Sequence, residues 1–450
     1  MHLNIYNYYS LLICSLTSML LFQCSRENDS QDSSHFNLEI DSISTLGGTK
    51  NESGQSVTQT LDGGYAIIGH TQSIDGDLEG KSNESYDYWL LKFNASNELE
   101  WQKTFGGTAD DRGTDLIQTS DGGYAVIGKS KSGDGDVSQN EGYDDFWMTK
   151  LDENGTISWE YAFGYAGSDV PYSIIQTNDN GYLLSGVLDV SASNGQGDRG
   201  SIISHRHAGG DYWVIKLNTN GIKEWSNYFG GTFTDTAYDA IQTDDNRYIV
   251  VGSSDSGDVD ISNNKGTYDF WVIKLSEAGD LIWEKSFGGN QVDEARSISQ
   301  TADGNYLVVG DTRSANLDVS QNNGAADLWM IKISPEGALL WEKTLGGSSF
   351  DVSRSVSKTQ DDGFLIAGSS RSSDGDLTNN KGQNDALIIK INSNGNLEWQ
   401  KTIGGSEVDF FYEAVELTDG SIVAVGDSNS SNEDITENKG FTDLLILKIK

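Results

Sequence analysis

One motif recurs seven times along the chain, and that repetition restricts the possible folds more than any other feature. A Gly doublet, or a close copy of it, opens each unit at Gly47, Gly106, Gly164, Gly230, Gly288, Gly346 and Gly404. Four of the six intervals are 58 residues, one is 59 and one is 66. A fixed period of this size marks one supersecondary unit that buries its apolar faces against its own copies. Inside each unit the apolar spacing is two rather than 3.6. In the fifth unit the runs SISQT, NYLVVGDT, DLWMIKIS and ALLWEKTL are four short strands rich in β-branched and aromatic residues. Asp-Gly separates the first two runs at Asp62-Gly63, Asp121-Gly122, Asp303-Gly304 and Asp419-Gly420, a strong hairpin signal. Four antiparallel strands per unit make a propeller blade. The expected fold is therefore all-β, a seven-bladed β-propeller of four-stranded blades over residues 38–450.

The two ends of the repeat fit a ring. The seventh unit stops at Lys450 after its third strand, DLLILKIK, while Leu38 to Leu46, LEIDSISTL, has the pattern of a fourth. Pairing the two completes the last blade with chain from both termini and leaves no open sheet edge. The eleven tryptophans occupy only two repeat positions. Trp89, Trp147, Trp213, Trp271 and Trp329 lie in third strands; Trp101, Trp159, Trp225, Trp283, Trp341 and Trp399 lie in fourth strands. Such regularity points to packing between blades rather than to a binding site.

Composition sets the environment. A net charge of −38 repels nucleic acid and anionic lipid, so neither is an expected partner. Tyr8 to Phe22, YYSLLICSLTSMLLF, is an apolar run too short to span a bilayer comfortably and is followed by polar chain, as in an export signal. Cys24 follows it in LLFQC and resembles the lipidated Cys of bacterial lipoproteins. That resemblance implies a signal peptide over 1–23, a flexible tether over 24–37 and membrane contact through the lipid anchor only, at the outer membrane or cell surface. The same run also reads as an ordinary secretory signal, which would leave the protein periplasmic or secreted.

The elements GG-x-x-x-D, T-x-D-G-G-Y and G-x-T-x-S resemble the bacterial SBBP-type β-propeller repeats. KLDENGTISW, KLNTNGIKEW and KISPEGALLW resemble the tryptophan-docking motif of quinoprotein-like propellers. Both resemblances imply the fold and leave the activity open, since propellers host many functions.

Three acids and one base recur in every unit. The first acid is Glu52, Asp111, Asp169, Asp235, Asp293, Asp351 and Asp409; the second, in the first hairpin, runs from Asp62 to Asp419; the third, opening strand three, runs from Asp87 to Asp443. A Lys ends each third strand, from Lys92 to Lys448. It lies about 16 Å from the third acid along an extended strand, which carries it to the opposite face beside the hairpin Asp. A structural ion pair or Asx-turn is the expected role there. The other face carries the first and third acids together with loop aspartates at Asp75/Asp77, Asp134/Asp136, Asp258/Asp260 and Asp374/Asp376, and no recurring base answers them. Clustered carboxylates of this kind suit calcium, and the same aspartates also suit Asx-turns. The third unit departs from the pattern: its loop Val187 to Gly210 is eight residues longer and carries His205, Arg206 and His207, expected at a mobile loop tip. We find no G-x-S-x-G, H-E-x-x-H or Walker loop. The expectation is a monomeric, non-enzymatic module that binds a protein or glycan at the cell envelope through its acidic loop face. An envelope-assembly scaffold and a carbohydrate-active propeller using a carboxylate pair are the alternatives.

Overall fold

The computed structural model describes residues 39–197 and 207–450. Cys24, the signal segment, the tether, His205 and Arg206 lie outside the described residues. Seven four-stranded antiparallel sheets form the ring. Blade two shows the plan: Asp111–Gln118, Tyr124–Ser130, Asp145–Leu151 and Ile157–Phe163 run from the axis to the rim. The middle strands of the blade are buried on both faces, while the outermost strand is only half-buried. The innermost strands of successive blades neighbour one another around the axis.

Ring closure uses both ends of the chain, as expected. Ile40–Leu46 pairs antiparallel with Asp443–Ile449, in a register that sets Ile43 opposite Leu447 and Leu46 opposite Leu444. Blade seven thus has the order N-terminal strand, last strand, and the two strands before it.

The tryptophans divide into two layers. Those of the third strands are fully buried, and four of the five meet an aromatic residue of the preceding blade: Tyr88 to Trp147 at 4.6 Å between ring centroids, Phe146 to Trp213 at 4.9 Å, Tyr212 to Trp271 at 4.5 Å, Phe270 to Trp329 at 4.5 Å; Trp89 packs with Leu444 and Ile446 of blade seven. Their indole N–H groups are satisfied within the blade, as in Trp147 donating to Glu160 at 2.8 Å. Five of the six in the fourth strands, Trp101, Trp159, Trp225, Trp283 and Trp341, lie under the last hairpin of the next blade; Trp399 faces blade seven, which has no such hairpin. A Cβ on Gly155 would come within 2.9 Å of the Trp101 ring, and one on Gly221 within 2.7 Å of Trp159. That hairpin Gly has positive φ and also lies against the ring, so no other residue suits the position.

The lysine and hairpin-Asp prediction holds in five blades; in blade four Lys274 stands 4.0 Å from Asp245, which pairs with Arg247, and in blade seven Lys448 and Asp419 form no ion pair within the described residues. Lys92 meets Asp62 at 2.8 Å, Lys150 meets Asp121 at 3.0 Å, Lys216 meets Asp179 at 2.9 Å, Lys332 meets Asp303 at 2.8 Å and Lys390 meets Asp361 at 2.9 Å. The same ammonium donates to the next backbone carbonyl, as in Lys92 to Phe93 at 2.8 Å, where a register shift interrupts the ladder. Burial opposes ionisation of Asp62, but hydrogen bonds from Lys92, Thr60 and the Gly64 amide outweigh it and hold its carboxyl down to about 2. The Asx-turn and the ion pair therefore coexist in one residue.

Removing residues through Leu46 should open the ring at Asp443–Ile449. The lost ladder, at about 1 kcal/mol per net hydrogen bond, costs on the order of 5 kcal/mol, comparable with the stability of a typical domain. Thermal unfolding of the truncated chain should lose its sharp transition and give aggregates. A melting curve superimposable on that of the longer chain would show that this strand pair does not close the ring.

Candidate functional site in the axial channel

The recurring acids are turned inward, to the seams between blades. Each first acid stands at the start of an inner strand, and in six of the seven blades its backbone N–H donates to the blade before: Asp111 to Tyr86 at 2.6 Å, Asp169 to Asp144 at 2.7 Å, Asp293 to Tyr268 at 2.7 Å, Asp351 to Ala326 at 2.9 Å, Asp409 to Asn384 at 2.8 Å, and Glu52 to Thr442 at 2.7 Å. Its carboxylate accepts from the doublet, as in Gly107 N–H to Asp111 at 2.8 Å and Gly48 N–H to Glu52 at 2.8 Å. Asp235 takes the Gly231 amide at 2.7 Å in the same way. The third acid of the preceding blade lies against the first Gly of the doublet. A Cβ on Gly106 would sit 2.8 Å from oxygens of both Asp87 and Asp111, so the first Gly of the doublet is where two carboxyls close on the backbone.

The loop aspartates are also engaged. Asp75, Asp134, Asp258 and Asp374 accept from the amides of Thr49, Thr108, Thr232 and Ser348 at 2.9, 2.8, 3.0 and 2.7 Å. Asp77, Asp136, Asp260 and Asp376 accept from Gly47, Gly106, Gly230 and Gly346 at 3.0 to 3.3 Å. These loops clamp the doublets. Among the described residues no group of three or more His, Cys, Asp or Glu side chains gathers to hold a metal ion. The expectation that no base answers the loop acids is corrected. Lys439 reaches Asp77 at 2.6 Å across the ring closure, Lys265 reaches Asp318 at 2.8 Å, and Lys381 pairs with Asp434. An N-K-G tripeptide carries all three lysines and was the overlooked signal.

His207 is likewise not at a free tip. Its Nδ1 lies 2.5 Å from Asp211 Oδ2, its ring meets Tyr228 edge-on at 5.0 Å, and Asp260 lies 4.0 Å away. Burial opposes protonation of the imidazole, but the surrounding aspartates raise its pKa on balance. The side chain stands where other blades use a backbone amide, such as Lys265 N–H to Asp269. The blade-three loop begins with a short helix, Val190–Ser193, capped by Asp189.

The sevenfold regularity ends at the axis. Every inner strand carries a β-bulge at its middle, for instance between Gly113 and Asp115 or between Ala295 and Ser297. A bulge leaves one residue unpaired and re-aims its side chain. The residues of the bulge differ from blade to blade, and their side chains line a cavity of about 120 Å³ on the axis. The unpaired residue is Gln55, Thr114, Tyr172, Tyr238, Arg296, Arg354 and Tyr412 in blades one to seven. Five adjacent blades thus present an aromatic and cationic wall, opposed by the smaller Gln55 and Thr114. The Tyr172 and Tyr238 rings lie 4.9 Å apart, and the Arg296 guanidinium stands 4.3 Å over the Tyr238 ring.

The next residue of each bulge forms a belt: Ser56, Asp115, Ser173, Asp239, Ser297, Ser355 and Glu413. Asp115 accepts from Ser56 at 2.9 Å and from the Ile174 amide at 2.8 Å, linking blades one and three through blade two. Asp239 accepts from Ser297 at 2.8 Å and the Ile298 amide at 3.0 Å; Glu413 accepts from the Val57 amide at 2.8 Å. Burial raises all three carboxyls, and their mutual proximity adds to it for Asp115 and Glu413. Inner strands start at the loop face, so the wall stands on the loop side of the belt. Sequence reasoning passed over these fourteen positions because they do not repeat; variation inside an otherwise regular unit was the signal.

No family model matches the chain. It is 21% identical over 403 residues to the regulatory protein FlaEY of Caulobacter vibrioides, spanning 81% of this chain but 41% of that protein. The chain thus covers about two-fifths of the length of that relative. Among solved structures it is similar to Sqt1 from Chaetomium thermophilum (12% identity, 91% of this chain and 99% of the other, TM-score 0.44). It is also similar to the PQQ-bound aldose sugar dehydrogenase of Streptomyces coelicolor (10% identity, 78% and 97%, TM-score 0.38) and to a Xanthomonas campestris gluconolactonase (9% identity, 91% and 89%, TM-score 0.37). No activity follows from likeness at these levels. The protein is a seven-bladed β-propeller.

The seam carboxyls make stability depend on pH in a definite direction. Burial pushes Asp87, Asp145, Asp211, Asp327 and Asp385 up to about 6, and Asp169, Asp235 and Asp269 up to about 7. A carboxyl raised above its unfolded value of about 4 binds its proton more tightly when folded, so stability falls as pH rises from about 4 to 7. The hairpin aspartates act oppositely but only below about pH 4, since Asp62, Asp179 and Asp361 are held down to about 2. The melting temperature should therefore be higher at pH 5 than at pH 8 at equal ionic strength. A melting temperature that rises over that interval would mean that the seam carboxyls are ionised without penalty.

Proposed function

We propose that the protein is an exported, lipid-anchored β-propeller without enzymatic activity. It binds a protein or glycan partner at the cell envelope through its loop face, with the mouth of the axial channel at the centre of the contact. One observation carries this reading: the ring is regular in its seams and differs blade by blade at the bulges, where Tyr172, Tyr238, Arg296, Arg354 and Tyr412 stand together. Repeated residues serve the repeated architecture, so the unrepeated ones are free to serve a ligand. Tyrosine and arginine are also the side chains that dominate binding energy at contact sites. The acids of the loop face contribute their field, which favours basic or neutral partners. The loop aspartates are assigned to clamping the doublets, and calcium is left out of this reading.

Two measurements test it. Cys24→Ala should move the protein from the membrane fraction to the soluble fraction and abolish labelling by a fatty-acid analogue; unchanged fractionation would remove the lipid anchor. On a glycan array the exported chain should be retained without releasing product, and Tyr172→Ala should weaken retention about tenfold, as for an interfacial aromatic anchor. Product release would establish the carbohydrate-active alternative. Absence of glycan retention, together with binding to outer-membrane assembly proteins, would establish the scaffold.

A further inference from the structure

We propose that the axial channel holds a small oxyanion, a carboxylate or phosphate group, between Arg296 and Arg354. This deepens the reading of the channel as the ligand site and rests on it.

The two arginines occupy equivalent bulge positions on adjacent inner strands, Asp293–Gln300 and Asp351–Lys358, and both line the axial cavity. The Nε of each is buried and has no hydrogen-bond partner. Arg296 uses its Nη2 on Glu294 at 2.9 Å and lies over the Tyr238 ring. Arg354 forms no ion pair among the described residues, and it feels both the like charge of Arg296 and the opposite charge of the buried Asp311. Elsewhere in this ring six of the seven strand-ending lysines donate to a carboxylate, a backbone carbonyl or both. Arg354 makes no such bond among the described residues.

A guanidinium presents five donors in a planar fork, and a buried donor without an acceptor costs stability that a bound acceptor restores. Two forks turned to one cavity match the geometry of a carboxylate or phosphate, which takes two parallel N–H bonds from each. The anion would also separate two cations that repel in a medium of low dielectric constant. The carboxyls around them do not fill this role. Glu294 is committed to Arg296, and Asp427 accepts from Ser53 at 2.9 Å and Tyr412 at 3.1 Å. Asp311 is buried opposite Glu294 in the neighbouring strand and reaches neither guanidinium within ion-pair distance. Asp115, Asp239 and Glu413 lie in the belt beyond and accept from serines and backbone amides. A cavity of about 120 Å³ has room for one such group with its waters.

The test uses the exported chain and two probes, sodium phosphate and sodium acetate, each against sodium chloride at matched ionic strength. A ligand that binds only the folded state raises the melting temperature with RT ln(1 + [L]/Kd). At least one probe should give a saturable rise, confirmed by calorimetric titration; phosphate alone assigns a phosphoryl group, acetate alone or both a carboxylate-type oxyanion. Arg354→Gln should weaken binding at least tenfold, and Arg354→Lys should retain part of it. Without probe, Arg354→Gln should melt at or above the parent temperature, because it removes an uncompensated buried charge. The proposal is overturned by the absence of a saturable rise with either probe, by equal binding in Arg354→Gln, or by a lower melting temperature of that variant without probe. If these overturn it while Tyr172→Ala still weakens partner retention, the channel mouth remains the contact and only the oxyanion is lost. If phosphate or acetate binds through Arg354 while Tyr172→Ala leaves retention unchanged, the oxyanion stands and the partner reading falls.

Discussion

The whole ring hangs on the seam where a first acid meets the third acid of the blade before it. At that point the acid's own backbone N–H bonds to the neighbouring blade, its carboxylate caps the Gly doublet, and a second carboxyl closes on the same glycine. A propeller blade cannot bury its own faces alone; it needs its neighbour at a fixed distance and angle. The seam sets both. It also explains the doublet, since a side chain at Gly106 would collide with two carboxyl groups at once.

Around that seam the ring is held at three depths. Aromatic pairs such as Tyr212 and Trp271 fill the interior between blades. On the loop face, Asp134 and Asp136 bind the doublet back to their own blade. On the opposite face the side chain of an inner strand's last residue reaches the hairpin of the preceding blade, as in the Leu61 amide donating to Gln118 at 2.7 Å and the Ser120 amide to Gln176 at 2.9 Å, while Lys358 of blade six pairs with Asp362 in its own hairpin. These links recur around most of the ring and serve its architecture. The acidic composition, which from the sequence alone suggested an unneutralised face, is in large part absorbed as acceptors for backbone amides. The N-K-G lysines answer more of it.

The axis obeys a different rule. A bulge in every inner strand turns two successive side chains inward, and at that radius seven copies of one large residue would not fit. The positions are therefore released from the repeat. Serines and acids alternate unevenly in the belt, with Asp115, Asp239 and Glu413 each bridging to neighbouring blades. Above them the wall runs from tyrosine through arginine and back to tyrosine, and Arg354 brings a buried guanidinium with no ion pair among the described residues into a strongly acidic protein.

The sequence by itself determined the blade count, the four-strand unit, the closure of blade seven by the N-terminal strand and the pairing of Lys92 with Asp62 and of their equivalents in four other blades. Each of these follows from periodicity or from the fixed rise of an extended strand, and both are visible in one dimension. Only the tertiary structure decided that Asp75 and Asp77 clamp Thr49 and Gly47, that Lys439 crosses the closure to Asp77, and that His207 turns back on Asp211. It alone brought Arg296 and Arg354 to one cavity, although 58 residues separate them in the chain. The physical reason is that a carboxylate's partner and a channel's lining depend on which residues of different blades converge. Spacing along a strand reports the face a residue occupies, and only the closed ring brings residues of different blades together on the axis.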